Sequence, residues 1–148
     1  MKTVLLATLI AFSSSIFAYE ASVTQGASLF NLARDFAHCS AVYKYFSQYH
    51  EKASATEVEN ITKLSSGAKT VSAFIFQTIE TGEKKKLQEY NMLVEAYIDE
   101  ETGRLASTSK QELVQRVKQC ASMSKMQTSI LNDINQAASA SQAGGETN

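Results

Sequence analysis

The chain contains no proline, no tryptophan, only two cysteines and six glycines in 148 residues. Without proline, and with so little glycine, it lacks the turn punctuation of an all-β sandwich or barrel. The same shortage excludes collagen-like and glycine-rich low-complexity chains. Charge of one sign is missing too. Fourteen basic and fifteen acidic side chains leave a net charge of −1, with no electrostatic footprint for nucleic acid or an anionic membrane surface. What remains is a 44% hydrophobic chain, too apolar to stay unfolded and long enough to bury one core.

The first eighteen residues are ordered like a secretory signal peptide. Lys2 supplies a positive start. Val4–Phe12 is apolar except for Thr8, Ser13–Ser15 loosen the chain, and Ile16-Phe17-Ala18 ends on a small residue. This pattern predicts cleavage after Ala18 and a mature chain of Tyr19–Asn148. The apolar run is shorter than the roughly 20 residues that cross a bilayer. The residue directly after the cleavage point is Tyr19, not a cysteine that could carry a lipid, and no later segment is apolar enough to span a membrane. The expected location is the periplasm or the exterior, with a bacterial source suggested by the short signal and small size.

Four helical segments are expected in one domain over 19–138. The first, about Gly26–Lys52, carries Leu29, Leu32, Phe36, Cys39, Tyr43 and Phe46 at alternating spacings of three and four. The second, about Thr56–Thr81, has two capping-box pairs at its start, Ser54 with Glu57 and Thr56 with Glu59. Its stripe is Ile61, Leu64, Ala68, Val71, Ile75 and Ile79, and Gly82 is placed for a left-handed C-cap. The third, about Glu83–Glu101, carries Leu87, Tyr90, Val94, Tyr97 and Ile98 and is closed by Thr102-Gly103. The fourth starts near Ser109, paired with Glu112, and follows Leu113, Val117, Cys120, Ser124, Leu131, Ile134 and Ala138. From Ser139 to Asn148 no apolar anchor remains, which predicts a disordered tail.

The expected fold is therefore all-α: an antiparallel four-helix bundle in up-down-up-down order. Export places Cys39 and Cys120 where thiols oxidise. Each lies about a dozen residues into the first and fourth segments, on the core stripe. At about 1.5 Å of rise per residue, antiparallel neighbours bring them to the same height. The bundle and a Cys39–Cys120 disulfide thus predict each other. Whether segments two and three form a hairpin or one bent rod stays open at this point.

Chemistry-bearing patterns are sparse. His38 and His50 have no His or Cys partner at zinc-ligand spacing, so no metal or cofactor is expected. There is no Cys-x-x-Cys-His, no Gly-x-Ser-x-Gly elbow and no phosphate-binding loop. Asp99-Glu100-Glu101 is an acidic cluster at a helix end, and Asn60-Ile61-Thr62 matches a glycosylation sequon. Lys84, Lys85 and Lys86 at the start of the third segment and the acidic cluster at its end both oppose the helix dipole. On the fourth segment Met123, Met126 and Ile130 widen the apolar face.

One surface stands out. His38, Val42, Tyr45 and Tyr49, at i, i+4, i+7 and i+11, form a second stripe on the first helix, displaced around it from the core stripe. Tyrosine suits a binding face because it joins apolar area to a polar tip. In layout the chain is similar to small exported bacterial proteins, periplasmic immunity and inhibitor proteins among them, but no motif carries that likeness. The expectation is a non-enzymatic protein that binds another protein of the envelope or exterior as an inhibitor, immunity protein or adaptor. The stripe is its candidate face. The alternative is a bundle that binds a small ligand or haem.

Overall fold

A computed structural model describes residues 28–49, 53–80 and 86–143. The expected signal peptide, His50, Lys84, Lys85, Gly82 and residues 144–148 lie outside the described residues. Among those described, 92% are helical and none is in a strand. There are five helices: α1 (28–49), α2 (Ala55–Ile79), α3 (Leu87–Leu105), α4 (Lys110–Ser122) and α5 (Ser124–Ala143). A disulfide joins Cys39 to Cys120 across 81 residues of sequence.

Helix α1 is the centre of the molecule. Phe36, Ala37, Cys39, Ser40, Ala41, Val42 and Tyr43 are all buried, a run that goes right round the helix. A helix covered on every side needs small residues where neighbours come close, and Ala33, Ala37, Ser40 and Ala41 provide them. On one side the Ser40 and Ser65 hydroxyls each donate to the other's carbonyl, at 2.8 and 2.9 Å. Ser72 of α2 donates to the Ala33 carbonyl at 2.8 Å. Position numbers rise on α1 as they fall on α2, so the two run antiparallel.

The start of α2 uses the first of its two possible boxes. Ser54 is the N-cap, its hydroxyl accepts from the Glu57 N–H, and the Glu57 carboxylate accepts from the Ser54 N–H at 2.8 Å. The helix stops at Ile79 with Glu80 extended. Its end therefore precedes Gly82 and needs no left-handed cap there. Helix α3 runs past Thr102-Gly103, the expected stop, to Leu105. The reason is packing: Tyr90, Val94, Ile98, Thr102 and Leu105 keep the helical spacing, and Leu105 is 1% exposed. Burial of that last turn outweighs the propensity penalty of one glycine. The acidic end of α3 is also accounted for. Asp99 pairs with Lys44, Glu100 with Arg104, and Glu101 with Arg104 and Arg116.

The expected fourth helix is two. Met123, with φ −88° and ψ −6°, separates α4 from α5. Beside the break Ser122 donates to the Gln119 carbonyl at 2.6 Å, a local bond that competes with the helical backbone pattern. The Met123 sulfur lies 4.0 Å from Cys39 Sγ. Met123 and Ile130 pack against the core while Met126 is largely exposed. Helix α5 sits over Gly67 of α2, where a Cβ would stand 2.5 Å from Gln127 Nε2. That nitrogen donates to the Leu64 carbonyl at 3.1 Å. Beyond Ala138 the chain stays helical to Ala143 rather than becoming a tail at Ser139.

Candidate functional site: an apolar cavity bordered by a charged hollow

Where α1, α2 and α3 meet, the side chains do not fill the space between them. A cavity of about 550 Å³ remains, within the range of about 300–1,000 Å³ usual for small-molecule sites. Phe30 and Ala37 of α1 and Phe76 and Ile79 of α2 form two of its walls. Phe30 and Phe76 meet edge to face, with ring centroids 5.6 Å apart. The third wall is α3, which contributes Tyr90, Leu93, Val94 and Tyr97. Phe30 and Leu93 are 46% and 58% exposed, so the cavity has an apolar rim open to solvent. The charged groups of its lining are Arg34 and Glu80.

Two wall residues carry unsatisfied polar atoms. The Tyr90 hydroxyl and Glu80 Oε2 are buried with no hydrogen-bond partner among the described residues. Each such atom costs about 1–3 kcal/mol, which the surrounding packing must offset.

On the other side of Arg34 and Tyr97 lies a hollow of about 530 Å³, lined mainly by polar groups. Arg34 and Tyr97 line both spaces. Within the hollow His38 Nδ1 is 3.1 Å from Glu101, and His38 Nε2 is 3.3 Å from Arg116, which reaches Glu101 at 3.2 Å and Glu112 at 2.7 Å. The tautomer that satisfies both contacts carries its proton on Nδ1 and accepts from Arg116 on Nε2. Burial lowers the His38 pKa from its ordinary value; Glu101 opposes this and Arg116 adds to it. A neutral imidazole with both nitrogens engaged has no lone pair left to take a substrate proton. Asp35 faces the same ring and lines the same hollow.

The stripe expected to be a binding face is not one surface. Val42 is 0% exposed, because α1 is enclosed on the side where the stripe was expected to emerge. His38 is held by Glu101 and Arg116. Tyr45 is half-buried against the core and its ring lies 4.8 Å from that of Tyr49. Tyr49 alone is mostly exposed, at 62%. Of the expected site residues, then, Cys39 and Cys120 are brought together, while His38 and Val42 are drawn into contacts within the protein.

Of the cavity residues, the sequence marks Ile79, Tyr90, Val94 and Tyr97 as apolar stripe but not Phe30, Arg34, Phe76 or Leu93, although a signal existed. Phe30, Arg34 and Ala37 stand at i, i+4 and i+7, and Tyr90, Leu93, Val94 and Tyr97 at i, i+3, i+4 and i+7. Both faces are wider than one core stripe requires. Among the described residues no three His, Cys, Asp or Glu side chains group to hold a metal ion. No described helix is long and apolar enough to cross a membrane. No protein-family model matches the chain, and neither a curated protein nor a solved structure matches it.

Proposed function

We propose that the protein binds a small, mainly apolar molecule between α1, α2 and α3, in an oxidising compartment outside the cytoplasm. The observation that carries this reading is the cavity itself: about 550 Å³, walled by aromatic and aliphatic side chains and open at an apolar rim. The space is an open cleft rather than a sealed void, and a cleft with aromatic and aliphatic walls and a few charged groups is the usual form of a small-molecule site. The compartment is supported by the buried Cys39–Cys120 disulfide and by the signal-like order of the first eighteen residues. In this reading α4 and α5 together complete the up-down-up-down bundle, with the disulfide tying α1 to α4 and Gln127 tying α5 to α2. Haem is the less favoured occupant, because the cavity residues include no His, Met or Cys and offer only tyrosine, Tyr90 or Tyr97, as an axial ligand.

Titration with an aliphatic series tests the reading. Each methylene that enters the cavity should raise affinity about fourfold, the equivalent of about 0.8 kcal/mol, until the space is filled. Leu93→Trp, which places a large side chain at the exposed rim, should abolish binding without unfolding the protein. No binding across the series, or a haem absorbance band in protein taken freshly from its source, removes the proposal.

A second reading keeps the expectation of a protein partner. It is favoured by one observation, the tilted Tyr45–Tyr49 ring pair with Tyr49 open to solvent at the end of α1. Aromatic side chains of this kind anchor interfaces. Loss of partner capture by Tyr49→Ala at unchanged stability would support it.

A further inference from the structure

We propose that the ligand of the α1–α2–α3 cavity is a single-chain amphiphile with an anionic head, a fatty carboxylate in its simplest form, whose head group pairs with Arg34. The inference rests on the ligand-binding reading above and adds the identity and direction of the polar end. Three observations support it. The apolar cavity and the charged hollow share a wall made by Arg34 and Tyr97, which line both. A molecule with its tail among Phe30, Phe76 and Leu93 therefore ends beside a guanidinium.

The second observation is the state of that guanidinium. The hollow holds three arginines. Arg104 is paired with Glu100 and Glu101, and Arg116 with Glu101 and Glu112. Arg34 has no carboxylate partner among the described residues. A planar guanidinium at the mouth of an apolar space, with its donors unclaimed, is matched to a carboxylate or another oxyanion.

The third is the placement of charge. Arg104 and Arg116 are neutralised by Glu100, Glu101 and Glu112, so Arg34 is the cation of the hollow without an ion-pair partner among the described residues. Glu80 is the opposing charge in the apolar cavity. It disfavours the reversed orientation, with the carboxylate next to α2 and the tail toward Arg34. One-directional binding follows from placing the two charges apart.

The test compares three molecules with the same twelve-carbon chain, dodecanoate, dodecanol and dodecylammonium, each below its micelle threshold, with the disulfide-intact protein by calorimetry or displacement of a fluorescent probe. Dodecanoate is expected to bind about tenfold more tightly than dodecanol, and dodecylammonium to bind weakest. Arg34→Gln should remove the advantage of dodecanoate and leave dodecanol unchanged. Arg34→Glu should invert the order of the two ions. The tenfold advantage should shrink as salt is raised, since the head group is near solvent. Equal binding of acid and alcohol, insensitive to Arg34→Gln, overturns the head-group assignment while leaving the apolar cavity as a binding site. Tightest binding of the ammonium also overturns it, and points to Glu80 as the head-group partner. Failure of all three to bind removes the cavity reading and this inference together.

Discussion

Removing the Cys39–Cys120 disulfide should weaken the protein by several kcal/mol and loosen α4 before anything else. The bond closes a loop of 81 residues. In the chain-entropy model a loop of that size restricts the unfolded state by about 4.5 kcal/mol at 25 °C. Both sulfurs are enclosed, with Cys39 3% and Cys120 2% exposed, so Cys39→Ala with Cys120→Ala also leaves a small void. Local effects should be concentrated in α4, because Cys120 is its one buried residue. Without the bond, α4 is held by Leu113 and Val117, half-buried against the core, and by Arg116 through His38 and Glu101. The double variant should lose about 3–5 kcal/mol in denaturant unfolding. For a domain of this size that corresponds to a drop in Tm of roughly 12–20 °C. Amide exchange should accelerate first in Lys110–Ser122 and least in the enclosed middle of α1. Peptide mapping without reductant should recover the cross-linked pair. Two free thiols in the native protein, a loss below about 1 kcal/mol, or uniform acceleration of exchange would refute the reasoning.

Other outcomes follow from single side chains. The His38 pKa is lowered in the folded state, so unfolding takes up a proton. The stabilisation is complete above the unfolded value of about 6.5 and is lost as pH falls through that value toward the folded one. The wild type should therefore lose stability between pH 7 and pH 5 more steeply than His38→Gln, as read by denaturant midpoints; parallel curves contradict this. Tyr90→Phe removes a buried hydroxyl that has no partner among the described residues, so it should leave Tm unchanged or raise it, and a loss above about 1 kcal/mol would mean the hydroxyl is satisfied. Val42→Ala, at a fully buried position, should cost about 2 kcal/mol, whereas Tyr49→Ala, largely exposed, should stay within about 0.5 kcal/mol. Similar losses at both sites would contradict the enclosure of α1.

Where sequence and structure agree, a local rule and a tertiary demand point the same way. The Ser54-x-x-Glu57 box starts α2 because both of its reciprocal hydrogen bonds are made within four residues. Cys39 and Cys120 are joined because helical spacing put both on core stripes. The differences arise where the third dimension decides. The Ser122-Met123-Ser124 break contains neither glycine nor proline, so no strong local signal divided α4 from α5. Gly103 looks like a stop until Leu105 is seen to be buried beyond it. The second stripe on α1 resembles a surface only if the helix has one covered side. The small residues Ala33, Ala37, Ser40 and Ala41 were the indication that it has several. By itself, Arg34 carries no signal in the sequence, and it is exposed in the structure. Its position between two hollows depends on how α3 crosses α1, which no periodicity encodes.

The central claim, that the α1–α2–α3 cavity is the binding site, is tested most directly by methyl-resolved NMR of the disulfide-intact protein during a dodecanoate titration. The methyl signals of Ile79, Leu93 and Val94 should shift together and saturate at one equivalent, while those of Leu113 and Val117 on α4 stay in place. Shifts absent from the three cavity residues, or spread evenly over the exposed apolar side chains Met92, Val114 and Met126, would contradict it.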